Sequence, residues 1–317
     1  MIEALEYILA YLVFPGILFA GAVGLLFAGI DRKLTGHMQN RIGPPIWQEF
    51  LDVGKLFGKE DITPTAANSF IFNCAPLLCF GAIMAVMLLL PINSSQPVLT
   101  SVGDLIVIIY LLNIPAVCMM LAGYASGCPF GTIGSSRYMV QLLGYELAFI
   151  IAALAAAANV GWSLSLSSIV SYQAQNGWMV SQVALIPAAI AILIAAQGKL
   201  LRAPFDIPEA ESEIVHGSLT EYSGPKLGIL RIAYDIEVFV VAAVIVVLFF
   251  GGPVPHTIGG IYIPGVVSFL IKCFGIVVLS TVIRNIAARL RIDQALKFFW
   301  TFPTLLAAIS LFLVVVT

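Results

Sequence analysis

Charge is what this chain has least of. Asp, Glu, Lys and Arg make up 10% of its 317 residues, against roughly 25% in a soluble domain whose surface faces water. None of the four occurs in 62–103, 105–136, 147–198 or 238–271. Such stretches far exceed the roughly 20 residues that cross a bilayer, and the mean hydropathy is +1.03. A water-soluble fold is excluded, and with no basic patch nothing points to a nucleic-acid partner. Cysteine pairs at metal-ligand spacing are also missing. Cys74, Cys79, Cys118, Cys128 and Cys273 contain no CxxC and read as small buried apolar residues. His37 and His216 have no partner at ligand spacing, so no metal site is expected. There is no phosphate-binding loop, nucleotide fingerprint or nucleophile elbow, and no catalytic residue is assigned. The N-terminus lacks the basic region and cleavage site of a signal peptide, so the first helix is expected to stay in the membrane.

What is there is a run of apolar segments separated by polar or Pro/Gly breaks. They predict one all-α membrane domain over 1–317, with about eight spans near 7–30, 69–91, 104–123, 136–159, 179–198, 230–250, 265–286 and 298–316. Lipid leaves backbone groups no outside partner, which makes helices the default. Orientation follows from the basic residues. With the N-terminus outward, 14 of the 15 Lys and Arg fall in or beside the inner segments 31–68, 124–135, 199–229 and 287–297. The outer loops 92–103, 160–178 and 251–264 hold none and read as solvated connectors. This asymmetry predicts both termini on the outer side of the membrane. In the first inner loop, Ile46, Phe50, Val53, Leu56 and Phe57 recur at spacings of three and four among charges, which predicts an amphipathic helix on the membrane surface or under a partner.

The carboxylates carry the chemistry. Asp206, Glu209, Glu211, Glu213, Glu221 and Asp235 lie within 30 residues. On a helix beginning near Pro208, Glu209 and Glu213 share one face. Like charges at that spacing repel, and a low dielectric then favours a held proton. A solvated acidic helix is the structural alternative. Glu146 stands alone in the fourth span. A carboxylate at mid-bilayer costs roughly 2.5–3.5 kcal/mol on insertion scales and is usually functional. The structural alternative, a pair with Arg137, asks two residues nine apart on one helix to meet. Lys272 poses the same question in the seventh span, where its stem has room to snorkel.

Seven motifs then stand in order: Asp31-Arg-Lys, Gln39-Asn-Arg-Ile-Gly-Pro, Lys59-Glu-Asp-Ile-Thr-Pro, Gly144-Tyr-Glu, Arg202-Ala-Pro-Phe-Asp-Ile-Pro-Glu-Ala-Glu, Thr220-Glu-Tyr-Ser-Gly and Arg289-Leu-Arg-Ile-Asp-Gln. In these the chain resembles the eight-helix membrane subunit shared by respiratory complex I and the energy-converting, membrane-bound NiFe hydrogenases. The resemblance implies a coupling subunit without a cofactor of its own, the NiFe centre and Fe–S clusters lying in partners. It implies that inner loops anchor the redox module, here the hydrogenase large and small subunits, and that antiporter-like subunits lie alongside in the bilayer. By motif it assigns Glu146, Asp206, Glu209, Glu211, Glu213 and Glu221 to an acidic ion relay, to which the intramembrane Asp235 and Lys272 are added. Arg41, Glu60, Asp61, Arg137, Arg202, Tyr222 and Asp293 belong to the loops facing the redox module.

The segment Ala125-Ser-Gly-Cys-Pro-Phe-Gly-Thr-Ile-Gly-Ser-Ser-Arg137 and the stretch Gln197-Gly-Lys-Leu-Leu favour the hydrogenase branch, in which proton reduction drives H+ or Na+ export. The alternative is the quinone-site subunit of a complex I-like dehydrogenase oxidising NADH or a reduced deazaflavin. A stand-alone secondary transporter and a passive anchor are the rival classes; no internal repeat supports the former.

Overall fold

A computed structural model describes residues 11–99, 104–258 and 261–316. Its elements are α1 (Ile17–Met38), α2 (Gln48–Phe57), α3 (Ser69–Leu89), α4 (Asp104–Ala125), α5 (Pro129–Ala158), α6 (Leu166–Asn176), α7 (Ile186–Lys199), the single turn α8 (Glu211–Ile214), α9 (Gly224–Phe249), α10 (Gly265–Ile286) and α11 (Ile292–Val316). A two-stranded antiparallel hairpin, β1 (His256–Ile258) and β2 (Ile261–Ile263), pairs Thr257 with Tyr262. The fold is helical, as its apolar runs require.

Among the described residues six helices are long and apolar enough to cross a membrane: α3, α4, α5, α9, α10 and α11. The expected eight are therefore not all of one kind. α1 has 22 residues but carries Asp31, Arg32 and Lys33 in its second half. α7 has 14 residues, preceded by two 3-10 turns, Met179–Ser181 and Val183–Leu185. The start of the first predicted span falls outside the described residues. Other boundaries move for physical reasons. α5, α9 and α11 begin about a turn or more before their apolar runs, α5 and α9 with Pro in the first turn, where its missing N–H costs nothing. The connector expected over 160–178 contains α6, because Leu166, Ile169, Val170 and Gln173 fall on one face and are buried.

α9 is the axis of the bundle. Of its most apolar stretch 89% is buried, against 22% for α11 on the rim. α1, α2, α3 and α10 pack around it, while α5, α7 and α11 form a second group. Gly24 lets α1 approach closely: a Cβ there would meet the α9 backbone at Asp235 and Ile236 at 3.0 Å. α1, α4, α7 and α10 end, and α5, α9 and α11 begin, at the same end of the bundle, beside α2 and the 200–223 segment. That end holds the site.

Candidate functional site: a charge-lined cavity

A cavity of about 550 Å³ opens between α1, α2, α9 and the segment after α7. Its walls mix aliphatic residues with Asp31, Glu49, Asp206, Glu209, Asp235 and Glu237, and with the cations Arg32, Lys199, Arg202, Arg231, Arg284 and Arg289. Six acids face six bases. Buried charges need partners, and Asp31, Glu49 and Asp206 have them.

Asp31 ties three elements together. Its carboxylate accepts from Arg284 at 3.0 Å and pairs with Arg202 at 3.4 Å, and it takes a short hydrogen bond from the Thr281 hydroxyl. Arg202 also donates to Ser280 Oγ at 2.9 Å. α1, α10 and the segment leaving α7 are thereby pinned at one point. Glu49, 1% exposed on the inward face of α2, pairs with Arg32 and, at 3.6 Å, with Arg231. Burial pushes its carboxyl above the ordinary range although Arg231 and Arg32 pull the other way. Asp52, one turn on, accepts from Gln48 at 2.9 Å and Arg32 at 3.2 Å. Burial alone would raise its carboxyl, but those hydrogen bonds and the charges of Arg32 and Lys55 hold it below the ordinary value.

A second cluster leads from the cavity toward α4 and α5. Lys199, 6% exposed, lies 5.3 Å from the Tyr145 ring centre and 5.9 Å from that of Phe149. Its Nζ donates to Asn113 Oδ1 at 3.0 Å, and Asn113 Nδ2 donates to Glu146 Oε1 at 2.5 Å. Lys199 and Glu237 both line the cavity. On α9, Asp235 is 3% and Glu237 8% exposed, so both acids face protein and the cavity.

The predicted relay residues are thus only partly gathered. Asp206, Glu209 and Asp235 line the cavity, and Glu146 reaches toward it through Asn113 and Lys199. The expected shared helical face of Glu209 and Glu213 does not form. α8 is a single turn that begins after Glu209 and ends where Val215 adopts φ 61°. Glu213 instead pairs with Arg137 at 2.5 Å, so Arg137 is bound to that loop rather than to Glu146. Glu211 lies on α8, and Glu221 is half-buried two residues after the Gly217–Leu219 turn. Lys272 is elsewhere: its Nζ donates to Gly252 O at 3.1 Å and lies over Trp178, at the opposite end of the bundle.

The loop residues divide in the same way. Arg202 is buried in the Asp31 cluster. Tyr222 stacks on Phe72 with centroids 4.0 Å apart and donates to Phe72 O at 3.1 Å, so it packs inward. Asp61 holds Lys226 at 2.9 Å, and Asp206 takes a two-pronged contact from Arg289, one arm at 2.7 Å. Arg41, Glu60 and Asp293 are exposed. Sequence reasoning missed Asp31, Glu49, Asn113, Lys199 and Glu237. Glu237 had a readable signal, an acid two residues beyond Asp235 in the same apolar run. Among the described residues no three His, Cys, Asp or Glu side chains converge on a metal position.

Apolar helices around a charge-lined interior define a multi-pass membrane protein with buried ionisable groups. The chain belongs to the NADH dehydrogenase family, which it matches over residues 10–315. It is 36% identical over 293 residues to the H-type subunit of NADH-quinone oxidoreductase from Brevibacillus brevis, covering 90% of this chain and 85% of that one. It is 34% identical over 301 residues to the same protein of Bacteroides thetaiotaomicron, covering 90% and 83%. In structure it is close to a chain of the membrane-bound sulfane sulfur reductase, an archaeal respiratory membrane complex. The TM-score is 0.87 at 31% identity, over 99% of this chain and all of that one. The resemblance read from the seven motifs therefore holds.

Proposed function

We propose that this chain is the quinone-site membrane subunit of a complex I-like dehydrogenase and couples quinone reduction by a docked redox module to ion translocation. The observation that carries the reading is the cavity. At about 550 Å³ it falls within the roughly 300–1,000 Å³ typical of small-molecule sites. Its aliphatic wall suits a quinone ring, and its buried charges can respond to the ring's reduction. The curated relatives named above, each a subunit of an NADH-quinone oxidoreductase, support the same choice. The motif-based preference for a hydrogenase thus becomes the second reading, with one observation in its favour. The structural match to the sulfur-reductase subunit spans 99% of this chain and all of that one, whereas the sequence matches to the two quinone relatives named above span 90% of this chain.

In this reading α1 and Val183–Lys199 complete the eight spans, and both termini face outward. The cavity end meets the redox module, and antiporter-like subunits adjoin the chain in the bilayer. Glu146, Asp206, Glu209, Asp235 and Glu237 form the ion relay, joined by the loop acids Glu211, Glu213 and Glu221. The test is the reaction of the purified complex. Reduction of a short-chain quinone by NADH or a reduced deazaflavin supports the proposal. Hydrogen evolution from reduced ferredoxin with no quinone reduction replaces it with the second reading.

A further inference from the structure

Asn113 stands between two charged groups that it both joins and separates. Lys199 of α7 donates to its carbonyl at 3.0 Å, and its amide nitrogen donates to Glu146 of α5 at 2.5 Å. The amide has one orientation that satisfies both neighbours, since an ammonium has only protons to give and a carboxylate only lone pairs. The carbonyl end faces the cation, the NH2 end faces the anion, and the amide dipole lies along their field. The buried Lys199 also lines the cavity, and so does Glu237. The rings of Tyr145 and Phe149 flank the ammonium and favour a charge there.

The order Glu237, Lys199, Asn113, Glu146 invites a proton path, but a carboxamide does not belong to the groups that pass protons. His, Glu, Asp, Lys, Tyr and Cys titrate within reach of physiological pH; an amide neither releases nor takes up a proton there. It does transmit a field, because its dipole is anchored at both ends. We infer that Lys199 and Asn113 form a proton-excluding electrostatic link, which reports the charge on the cavity acid Glu237 to Glu146 while breaking the proton path between them. A change of charge on Glu237, across the cavity that both residues line, changes the field at the Lys199 ammonium. The inference rests on the relay proposed above and says how its two halves communicate.

The experiment uses the whole complex in proteoliposomes and measures ions moved per electron beside redox turnover. Asn113→Leu is expected to keep turnover and lose translocation, because the link is cut. Asn113→Asp is the deciding variant. A proton wire would tolerate or welcome a carboxyl at 113, whereas an insulating link is spoiled by a titratable anion beside Lys199. Normal coupling in Asn113→Asp with loss in Asn113→Leu overturns the inference, and so does normal coupling in Asn113→Leu. Lys199→Arg, which keeps a buried cation, is expected to stay coupled. Lys199→Gln, which keeps a hydrogen bond without charge, is expected to lose coupling; a coupled Lys199→Gln complex overturns the inference even where the Asn113 variants fail to assemble. Glu146→Gln separates the two levels. Should it pump normally, the relay reading itself falls; should it fail while Asn113→Leu pumps, only the link falls.

Discussion

Toward the cavity end of the bundle buried acids and bases crowd together; toward the opposite end charge is sparse, with Asp104 buried at the start of α4 and Lys272 half-buried on α10. Around the cavity, Asp31, Glu49, Asp235 and Glu237 face Arg202, Arg231 and Lys199. At the far end the last turns of α9 are sealed by one amide. Gln173 Nε2 donates to Val247 O at 2.8 Å and Leu248 O at 3.2 Å, and its Oε1 accepts from Gly251 N at 2.8 Å. The Gln173 amide meets buried backbone groups without a charge, so satisfying them does not require one. A buried ion pair is seldom the most stable way to fill space, and an apolar replacement of equal volume is often neutral or better. Six acids opposite six bases around an open cavity therefore point to work that needs charge.

The sharpest way to break this contrast is to remove one anion from the cavity end. Asp31→Ala strands Arg202, only 4% exposed, together with the half-exposed Arg284. Breaking a buried pair in this way costs roughly 3–5 kcal/mol. The expected result is a lower melting temperature and loss of the subunit from the purified complex. Retention of wild-type stability would mean that water, not protein, solvates those guanidiniums.

The matching cut at the opposite end is smaller. Gln173→Leu leaves two carbonyls and the N–H groups of Gly251 and Met179 without their partner, about 1–3 kcal/mol for a buried group left unsatisfied. It is expected to lower thermal stability while leaving ions moved per electron unchanged. A change in that ratio would show that the far end takes part in coupling.

Lys272→Met comes next. Its contacts are a carbonyl and the Trp178 ring, worth roughly 0.5–1 kcal/mol as a cation–π pair at a partly exposed site. Turnover and coupling are expected to stay within a factor of about two of wild type, since about 1.4 kcal/mol is needed for a tenfold change. A collapse of translocation would return Lys272 to the relay in which its sequence position first placed it.

The same contrast explains what the sequence disclosed. The membrane class, the helical fold and α2 were legible because apolar length and a three-four spacing are local properties. The basic residues of the cavity end were visible too, but as an orientation signal: Lys199, Arg202, Arg231 and Arg284 were counted for where they lie, not for what they bind. Long-range pairing was not legible. Asp31 meets Arg284 across 253 residues and Arg137 meets Glu213 across 76, and no spacing rule reaches that far. Glu209 and Glu213 misled for the opposite reason. Four residues apart is a helical spacing only where a helix exists, and Val215 at positive φ with Gly217 at φ 56° stops it after one turn. A Cβ on Gly217 would sit 2.1 Å from Pro208 O, so the loop folds back on itself where a longer helix had been expected.

The smallest effect tests the border between the two regimes, on α2, where one acid is buried and its neighbour is not. Burial raises the Glu49 carboxyl above its ordinary 4.5 against the pull of Arg231 and Arg32. Folded protein thus holds that proton to higher pH than unfolded chain does, so stability falls as pH rises from about 4.5 through the folded value. Asp52 has the opposite sign. Burial pushes it up, yet Gln48, Arg32 and Lys55 hold it below 3.8. Its contribution is complete above that value and fades only as pH drops through the lower folded value. Above about pH 4.5 Asp52 adds a constant, while Glu49 adds a slope until its folded value is passed. Asp52→Asn should shift the melting temperature by the same small amount at every pH above that point. Glu49→Gln should remove the part of the decline that Glu49 causes, whatever its constant cost at Arg32 and Arg231. A melting-temperature profile of Glu49→Gln parallel to wild type would mean that Glu49 titrates as an exposed acid, and that the dry, charged interior begins deeper than α2.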